Sequence, residues 1–230
     1  MIMTMIDDKL QQVRARIVTA CTAVGRDPAS VHLLAVSKTF AADAVREALA
    51  AGQQAFGENY VQEGVAKIEA LAGLRDQLQW HCIGPLQSNK TRTVAEHFDW
   101  VHSIDRLKIA ERLSEQRPAH LPPLQVCLQV NVDGGANKSG VPASEALPLA
   151  RAVAALPRLQ LRGLMAIPEP APDFAAQRDL FLRAAAVFGG MREAGLAVDT
   201  LSLGMSADLE AAIAAGSTMV RIGTAIFGAR

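Results

Sequence analysis

The stretch Leu33-Leu34-Ala35-Val36-Ser37-Lys38-Thr39 is a short apolar run that ends in a lysine. Runs of this kind are typical of a strand buried on both faces of a parallel sheet. The carboxyl ends of such strands are where α/β folds place their functional sites. A lysine there either reaches solvent as an ordinary end of the strand, or is desolvated and acts as an amine nucleophile. The stretch alone leaves both interpretations of Lys38 open.

Eight runs that read as strands alternate with helical patterns, after one leading helix from about Met5 to Val24. The predicted strands occupy residues 31–37, 54–59, 79–84, 100–104, 124–132, 159–167, 200–204 and 219–223. Eight β/α units in 230 residues are the size of a TIM barrel. The rival is a doubly wound open sheet, but its glycine fingerprint is absent after the first strand. We therefore predict an α/β fold, a single TIM (β/α)8 barrel domain over residues 1–230 with an extra N-terminal helix.

The composition argues against several classes of partner. Lysine and arginine balance aspartate and glutamate at 23 each, and no apolar run approaches the roughly 20 residues of a membrane span. The first residues lack the pattern of a secretory signal, and three widely spaced cysteines fit reduced thiols. The histidines show no i, i+4 pairing that would indicate a metal site, and His81 is expected to be a hydrogen-bonded core residue. We predict a cytoplasmic protein without a metal, nucleic-acid or membrane partner.

In a barrel, the carboxyl ends of all strands face one mouth. The residues predicted there are, in chain order, Lys38, Asn59, His81, Gly84, Ser103, Asn131, Met165, Ser206, Arg221, Gly223 and Thr224. Ser206 is predicted to N-cap a helix over 207–215, and phosphate sites of barrels commonly form after strands seven and eight. The alternative is that Ser206 is an ordinary N-cap and Gly223-Thr224 an ordinary tight turn, without a phosphate. The Asp208 carboxylate in the same turn as Ser206 would also compete with a bound anion.

Arg221 lies within the apolar sequence Met219-Val220-Arg221-Ile222-Gly223, so it needs a partner. One interpretation is a structural ion pair, for example with Glu58. The other is a donor aimed at a ring nitrogen or carboxylate of a ligand. An amine, a phosphate site and an arginine together suggest a phosphorylated aldehyde held as a Schiff base, and pyridoxal phosphate (PLP) is the commonest such cofactor.

Several motifs occur in a specific order along the chain: residues 35–38 (AVSK), 56–60 (FGENY), 81–90 (HCIGPLQSNK), 163–165 (GLM), 203–206 (LGMS) and 220–228 (VRIGTAIFG). Together they resemble the pyridoxal 5'-phosphate homeostasis protein family, from about residue 7 onwards. The resemblance implies an alanine-racemase-like barrel that binds PLP, with Lys38 as the Schiff-base lysine. It further implies phosphate ligands and residues around the pyridine ring, namely Ser206, Gly223 and Thr224 for the phosphate, Arg221 facing the ring nitrogen, and Asn59 and Met165 lining the ring.

Two arguments favour a carrier over an enzyme. A guanidinium cannot give the ring nitrogen its proton, which makes the cofactor a weaker electron sink. A racemase also needs a base on each face of its substrate, and the related racemases take a tyrosine from a second domain of the partner subunit. This chain has one tyrosine, Tyr60, for which we predict packing in the core or at the rim.

We therefore expect a monomeric, non-catalytic protein that holds PLP on Lys38 and takes part in PLP (vitamin B6) homeostasis. It would buffer the cofactor or deliver it transiently to PLP-dependent apoenzymes. One alternative is a small fold-type III PLP enzyme such as an amino-acid racemase. A weaker alternative is a Schiff-base aldolase that uses no cofactor.

Overall fold

A closed barrel of parallel strands forms the centre of the molecule. The computed structural model describes residues 5–134 and 139–228. The strands are β1 (His32–Val36), β2 (Ala55–Glu58), β3 (Gln79–Cys82), β4 (Trp100–Ile104), β5 (Leu124–Asn131), β6 (Val141–Pro142), β7 (Leu159–Met165), β8 (Thr200–Ser202) and β9 (Met219–Ile222). The sheet runs β4-β3-β2-β1-β9-β8-β7-β5, and a β4–β5 pairing closes it into the eight-stranded barrel that the sequence predicted.

Helices follow the strands and cover the outside of the barrel. They are α1 (Met5–Ala23), α2 (Ala42–Ala50), α3 (Val61–Ala70), α4 (Thr91–His97), α5 (Leu107–Gln116), α6 (Ala143–Ala154), α7 (Phe174–Glu193), α8 (Leu209–Ala214) and α9 (Thr224–Phe227). The extra helix α1 buries Leu10, Val13 and Ile17 at helical spacing and packs against α2, α8 and α9. It thus bridges the first and last units of the barrel. None of the helices within residues 5–134 and 139–228 could cross a membrane, judged by length and apolar character.

Most predicted boundaries shift by one or two residues, and three features depart further from the prediction. The two-residue strand β6 pairs with β5 beside the barrel, and the short helix α9 follows the last strand; neither was predicted. The helix α8 begins at Leu209, and its N-cap residue is Asp208 rather than Ser206. The Asp208 carboxylate accepts a hydrogen bond from the Met205 backbone N–H at 2.5 Å, which holds the preceding turn out of the helix. The prediction that Ser206 caps this helix is therefore wrong.

The strands have two different faces. Their outer side chains pack on the helices in one large apolar cluster. The barrel interior is more polar: it contains a small cluster of Trp100, Cys127 and Met165 beside the buried residues His81 and Arg221. Polar interior residues raise the question of what they bind, because burying them without partners is costly.

Candidate functional site

Lys38 lies at the mouth of the barrel, two residues beyond the end of β1. Leu34, earlier on the same strand, lies in register with Arg221 and faces the barrel interior. Strand alternation places Val36 on the same side, and Lys38 continues this pattern at the mouth. Lys38 is half-buried, whereas Ser37 before it is fully buried. An amine therefore stands at the end of the strand where the sequence predicted one.

The backbone on both sides of Lys38 is held by charged groups from the next β/α unit. The Lys67 ammonium on α3 donates to the Ser37 carbonyl at 2.7 Å, and the Ser37 hydroxyl donates to Glu58 Oε1 at 2.6 Å. On the other side, the Thr39 backbone N–H donates to the Glu63 carboxylate. Thr39 has a φ of 69°, the left-handed region that β-branched residues rarely adopt. The conformation around Lys38 is thus set by its neighbours rather than by its own preference.

Lys67 binds both carboxylates of this group, Glu58 at 2.8 Å and Glu63 at 2.7 Å. Burial raises the pKa of the Glu58 carboxyl, and the hydrogen bonds and charge of Lys67 oppose that rise. The suggested ion pair between Glu58 and Arg221 is wrong, because Glu58 points outward to α3 while Arg221 lies inside the barrel. Sequence reasoning missed Lys67. Lys67 lies at helical spacing from Val61, Gly64 and Ile68, the apolar residues that form the buried face of α3. This spacing was a signal in the sequence that Lys67 is buried.

The residues predicted to bind phosphate meet between the ends of β8 and β9. The Thr224 hydroxyl donates to Ser206 Oγ at 3.2 Å. Gly223 lies against the end of β1, where an added Cβ would come within 3.3 Å of the Val36 carbonyl oxygen. This contact connects the phosphate side of the mouth with the strand that carries Lys38. Two hydroxyls and a glycine backbone are a donor set suited to a phosphate group.

Arg221 lies across the mouth, level with the ends of β7 and β8. Its Nη1 donates to the Ser202 carbonyl at 2.7 Å and to Ser202 Oγ at 2.8 Å, and its Nη2 donates to the Ala166 carbonyl at 3.1 Å. These bonds use three of the five guanidinium N–H donors. Burial lowers the pKa of Arg221 to about 10, with the Asp208 charge opposing the shift. Arg221 therefore remains a cation at neutral pH, with donors left for a ligand.

Asn59 and Met165 lie at two other strand ends. Asn59 directly follows β2, and its carbonyl oxygen packs against Gly84. A Cβ added to Gly84 would lie 2.1 Å from this oxygen. Only glycine allows the chain after β3 to approach so closely. Met165 is fully buried at the end of β7, next to the Ala166 carbonyl that accepts from Arg221. Both residues thus lie around the mouth that Lys38 and Arg221 share.

Tyr60 lies at the second of the two places predicted for it. It is 58% exposed and precedes α3, directly after Asn59. The expectation of core packing is wrong, whereas a place at the rim of the mouth is correct. The exposure has a simple cause, since the chain turns outward between β2 and the first buried residue of α3, Val61.

The buried histidines bind each other, as His81 Nδ1 lies 2.9 Å from His102 Nε2. The expectation of a hydrogen-bonded core histidine at position 81 is confirmed. Across residues 5–134 and 139–228, no three histidine, cysteine, aspartate or glutamate side chains lie close enough to hold a metal ion.

Comparison with known proteins gives full-length matches. The alanine racemase N-terminal domain family matches residues 9–230. The pyridoxal phosphate homeostasis protein of Pseudomonas aeruginosa is 61% identical over 228 residues, which cover 99% of this chain and 97% of that protein. The protein of the same name from Escherichia coli K12 is 59% identical, over 98% of this chain and 97% of its own length.

A solved structure shows the same fold with a cofactor. PipY of Synechococcus elongatus with PLP bound is 38% identical and superposes with a TM-score of 0.84, over 97% of this chain and all of PipY (100%). Identity at this level over the whole chain is evidence of common descent, beyond a shared architecture. The chain, with its lysine, hydroxyl pair and arginine around one barrel mouth, therefore belongs to the pyridoxal phosphate homeostasis protein family.

Proposed function

We propose that this protein holds PLP reversibly as a Schiff base on Lys38 and serves PLP homeostasis as a non-catalytic carrier or buffer. One observation carries the proposal: an amine, a pair of hydroxyls and a buried guanidinium converge on one mouth. PLP has an aldehyde, a phosphate and a ring nitrogen, and each group has a matching donor or nucleophile here. The PLP-bound relative and the names of the close relatives support the same conclusion.

Each site residue has a defined task in this proposal. PLP supplies an aldehyde that reacts reversibly with an amine, and Lys38 supplies that amine. Ser206, Gly223 and Thr224 hold the phosphate, and Asn59 and Met165 line the ring. Arg221 donates a hydrogen bond toward the ring nitrogen and, as a permanent cation, does not give up its proton. A neutral ring nitrogen withdraws electrons weakly, which suits a protein that stores the cofactor.

The test of this assignment is the visible absorbance of the protein after incubation with PLP. We expect the wild type to show a visible band and Lys38→Ala to lose it, whereas Lys108→Ala, an exposed lysine on α5, retains it. Borohydride reduction followed by peptide mass mapping should place the added mass on the peptide that contains Lys38. A full-strength band in Lys38→Ala, or a label on another lysine, would show that the assignment is wrong.

A small amino-acid racemase is the second candidate, and the position of Tyr60 is the observation that favours it. This exposed phenol directly follows Asn59 at the rim of the mouth, and a racemase needs a second base in addition to Lys38. Incubating the PLP-loaded protein with D- and L-alanine in deuterated water separates the two functions. We expect no exchange of the α-proton above a PLP-only control. Rapid exchange that Tyr60→Phe abolishes would establish the enzyme instead.

The proposal also includes the cellular compartment of the protein, its oligomeric state and its partners. Cys21, Cys82 and Cys127 are free and buried, which fits a reducing compartment such as the cytoplasm. We propose a single barrel domain that acts as a monomer and transfers PLP transiently to apoenzymes. Light scattering should then give a mass near 24.4 kDa, with and without PLP. A mass twice as large would contradict the monomer.

A further inference from the structure

A line of polar side chains crosses the barrel interior from its amino-terminal end to Arg221. Gln79 Oε1 lies 3.0 Å from His81 Nε2, and His81 Nδ1 lies 2.9 Å from His102 Nε2. His102 Nδ1 lies 3.2 Å from Ser202 Oγ, which accepts from Arg221 Nη1 at 2.8 Å. His81, His102 and Ser202 are fully buried, whereas Gln79 is exposed. The line therefore joins solvent at the bottom of the barrel to a residue of the mouth.

The Gln79 carbonyl oxygen, which only accepts, determines the direction of the hydrogen bonds through the two histidines when both rings are neutral. At the other end a guanidinium only donates, so Ser202 Oγ accepts from Arg221 and keeps its own proton free to donate to His102 Nδ1. A neutral His102 then carries its proton on Nε2 and donates to His81 Nδ1. His81 in turn carries its proton on Nε2 and donates to the Gln79 carbonyl oxygen, which only accepts. This arrangement satisfies all contacts with both histidines neutral, whereas the reverse direction would place the lone pair of His81 Nε2 against the Gln79 oxygen.

The environment of the two rings agrees with that arrangement. Burial lowers the pKa of His81 well below its usual value, and the neighbouring His102 adds to the shift. Burial and then the charge of Arg221 lower the pKa of His102 to about 3. An imidazolium at either position would also place a second donor where the chain needs an acceptor. The only cation in the line is thus Arg221.

We propose that Gln79, His81, His102 and Ser202 are positioning residues that act as one directional hydrogen-bond chain to orient the Arg221 guanidinium. For the ligand, this inference rests on the proposed function, since Arg221 is the group that would face the ring nitrogen. Ser202 Oγ, at the end of the chain, accepts one N–H of Arg221, and the Ser202 and Ala166 carbonyls accept two more, so the plane of the guanidinium is set before a ligand arrives. Preorganisation of this kind strengthens binding because no reorientation is needed.

The first test reads the tautomers directly, in the protein without added cofactor. Long-range proton–nitrogen NMR correlations on 15N-labelled protein should show His81 and His102 as neutral Nε2–H tautomers from pH 7 to pH 5.5. His97 is an internal contrast, because its Nδ1 lies 2.8 Å from the Thr93 carbonyl and must carry the proton when the ring is neutral. Loss of individual signals in His81→Gln and His102→Gln assigns the rings. An Nδ1–H tautomer or an imidazolium at either buried position would overturn the proposal.

The second test asks whether the chain acts on the site. Ser202→Ala removes the link between His102 and Arg221, and Ser217→Ala is the matched control. Ser217 is a buried serine whose hydroxyl oxygen lies within 3.2 Å of three backbone carbonyl oxygens, those of Leu201, Leu203 and Met219, so its one proton can bond only to the backbone. We expect Ser202→Ala to shift the His102 Nδ1 resonance and to weaken PLP binding about fivefold, the effect of one hydrogen bond. Ser217→Ala should change neither.

The outcomes separate the two proposals. A folded Ser202→Ala protein with unchanged PLP affinity and absorbance would overturn the positioning role. If the wild type itself fails to bind PLP, the proposed function falls, while the tautomers of the cofactor-free protein still decide whether the chain exists. If Ser202→Ala does not fold, two other measurements decide whether the chain exists. They are the tautomers of the wild-type histidines and the shift of the His102 ring resonances in Gln79→Leu. Gln79 is exposed, and its loss should shift both histidine rings if the chain is continuous.

Discussion

At the scale of single residues, the site depends on a backbone that would not adopt its conformation alone. Thr39 is an exposed, β-branched residue in the left-handed region, and among residues 5–134 and 139–228 no other non-glycine residue has a positive φ. Such a conformation costs about 1–3 kcal/mol and persists when surrounding contacts impose it. Here the Glu63 carboxylate accepts from the Thr39 N–H and so fixes the turn directly after Lys38.

We expect Thr39→Gly to raise the free energy of unfolding by about 1 kcal/mol, since glycine enters the left-handed region without a steric cost. Urea unfolding followed by circular dichroism measures the change. The matched control is Thr19→Gly, an exposed position inside α1, which should lower stability by a few tenths of a kcal/mol, about the difference in helix propensity. Equal destabilisation by both substitutions would show that Thr39 is not strained.

At the scale of elements, the lysine of one β/α unit is positioned by the next unit. Strand β2 supplies Glu58, and helix α3 supplies Glu63 and Lys67, so a single unit holds both sides of the turn after β1. Lys67 is 7% exposed and Glu58 is fully buried, which makes the pair costly to break. Removing one partner leaves an uncompensated charge away from water.

We expect Lys67→Met to lower the free energy of unfolding by about 3–5 kcal/mol, the range for breaking a buried ion pair. The double variant Lys67→Met/Glu58→Gln should be more stable than the single variant, because it removes the stranded carboxylate. Arg92→Met is the control: its pair with Glu96 is exposed at 3.9 Å and should contribute less than about 1 kcal/mol. Chemical denaturation of the four proteins checks this order. A double variant no more stable than Lys67→Met would exclude the charge explanation.

At the scale of the whole molecule, two neutral histidines inside the barrel couple folding to pH. Their folded pKa values are depressed, so the stability they contribute is complete above their unfolded pKa, about 6.5. It is lost as the pH falls toward the folded pKa, which is about 3 for His102. The unfolded chain takes up protons in this window and the folded barrel does not.

We therefore expect the free energy of unfolding to fall by about 2–3 kcal/mol between pH 7 and pH 5.5, the linkage effect of two such histidines. Urea unfolding at pH 7 and at pH 5.5 measures this difference in the free energy of unfolding. Both pH values lie above the range in which ordinary carboxyl groups titrate. His97→Gln, a change on the outer helix α4, should leave the difference intact. Equal stability at both pH values would mean that the buried rings accept protons in the folded state.

Much of the fold and part of the site could be predicted because the relevant signals are local. Alternation of apolar runs with helical spacing predicts β/α units, and eight such units close a barrel. Once the barrel is known, strand ends such as those at Lys38, Asn59 and Thr224 must share one mouth. The start of α8 was mispredicted because two polar residues, Ser206 and Asp208, were both suitable N-caps, and a hydrogen bond to Met205 favours the second.

The sequence by itself determined the barrel, the lysine at the end of its first strand and the place of the hydroxyls after its last two strands. The partners of the charged residues were decided only by the tertiary structure. Glu58 binds Lys67 on α3 instead of Arg221, and Arg221 reaches Ser202, which meets a histidine 100 residues away along the chain. The physical reason is register: periodicity predicts which face a side chain takes, but strand pairing around the closed barrel decides which side chains meet there.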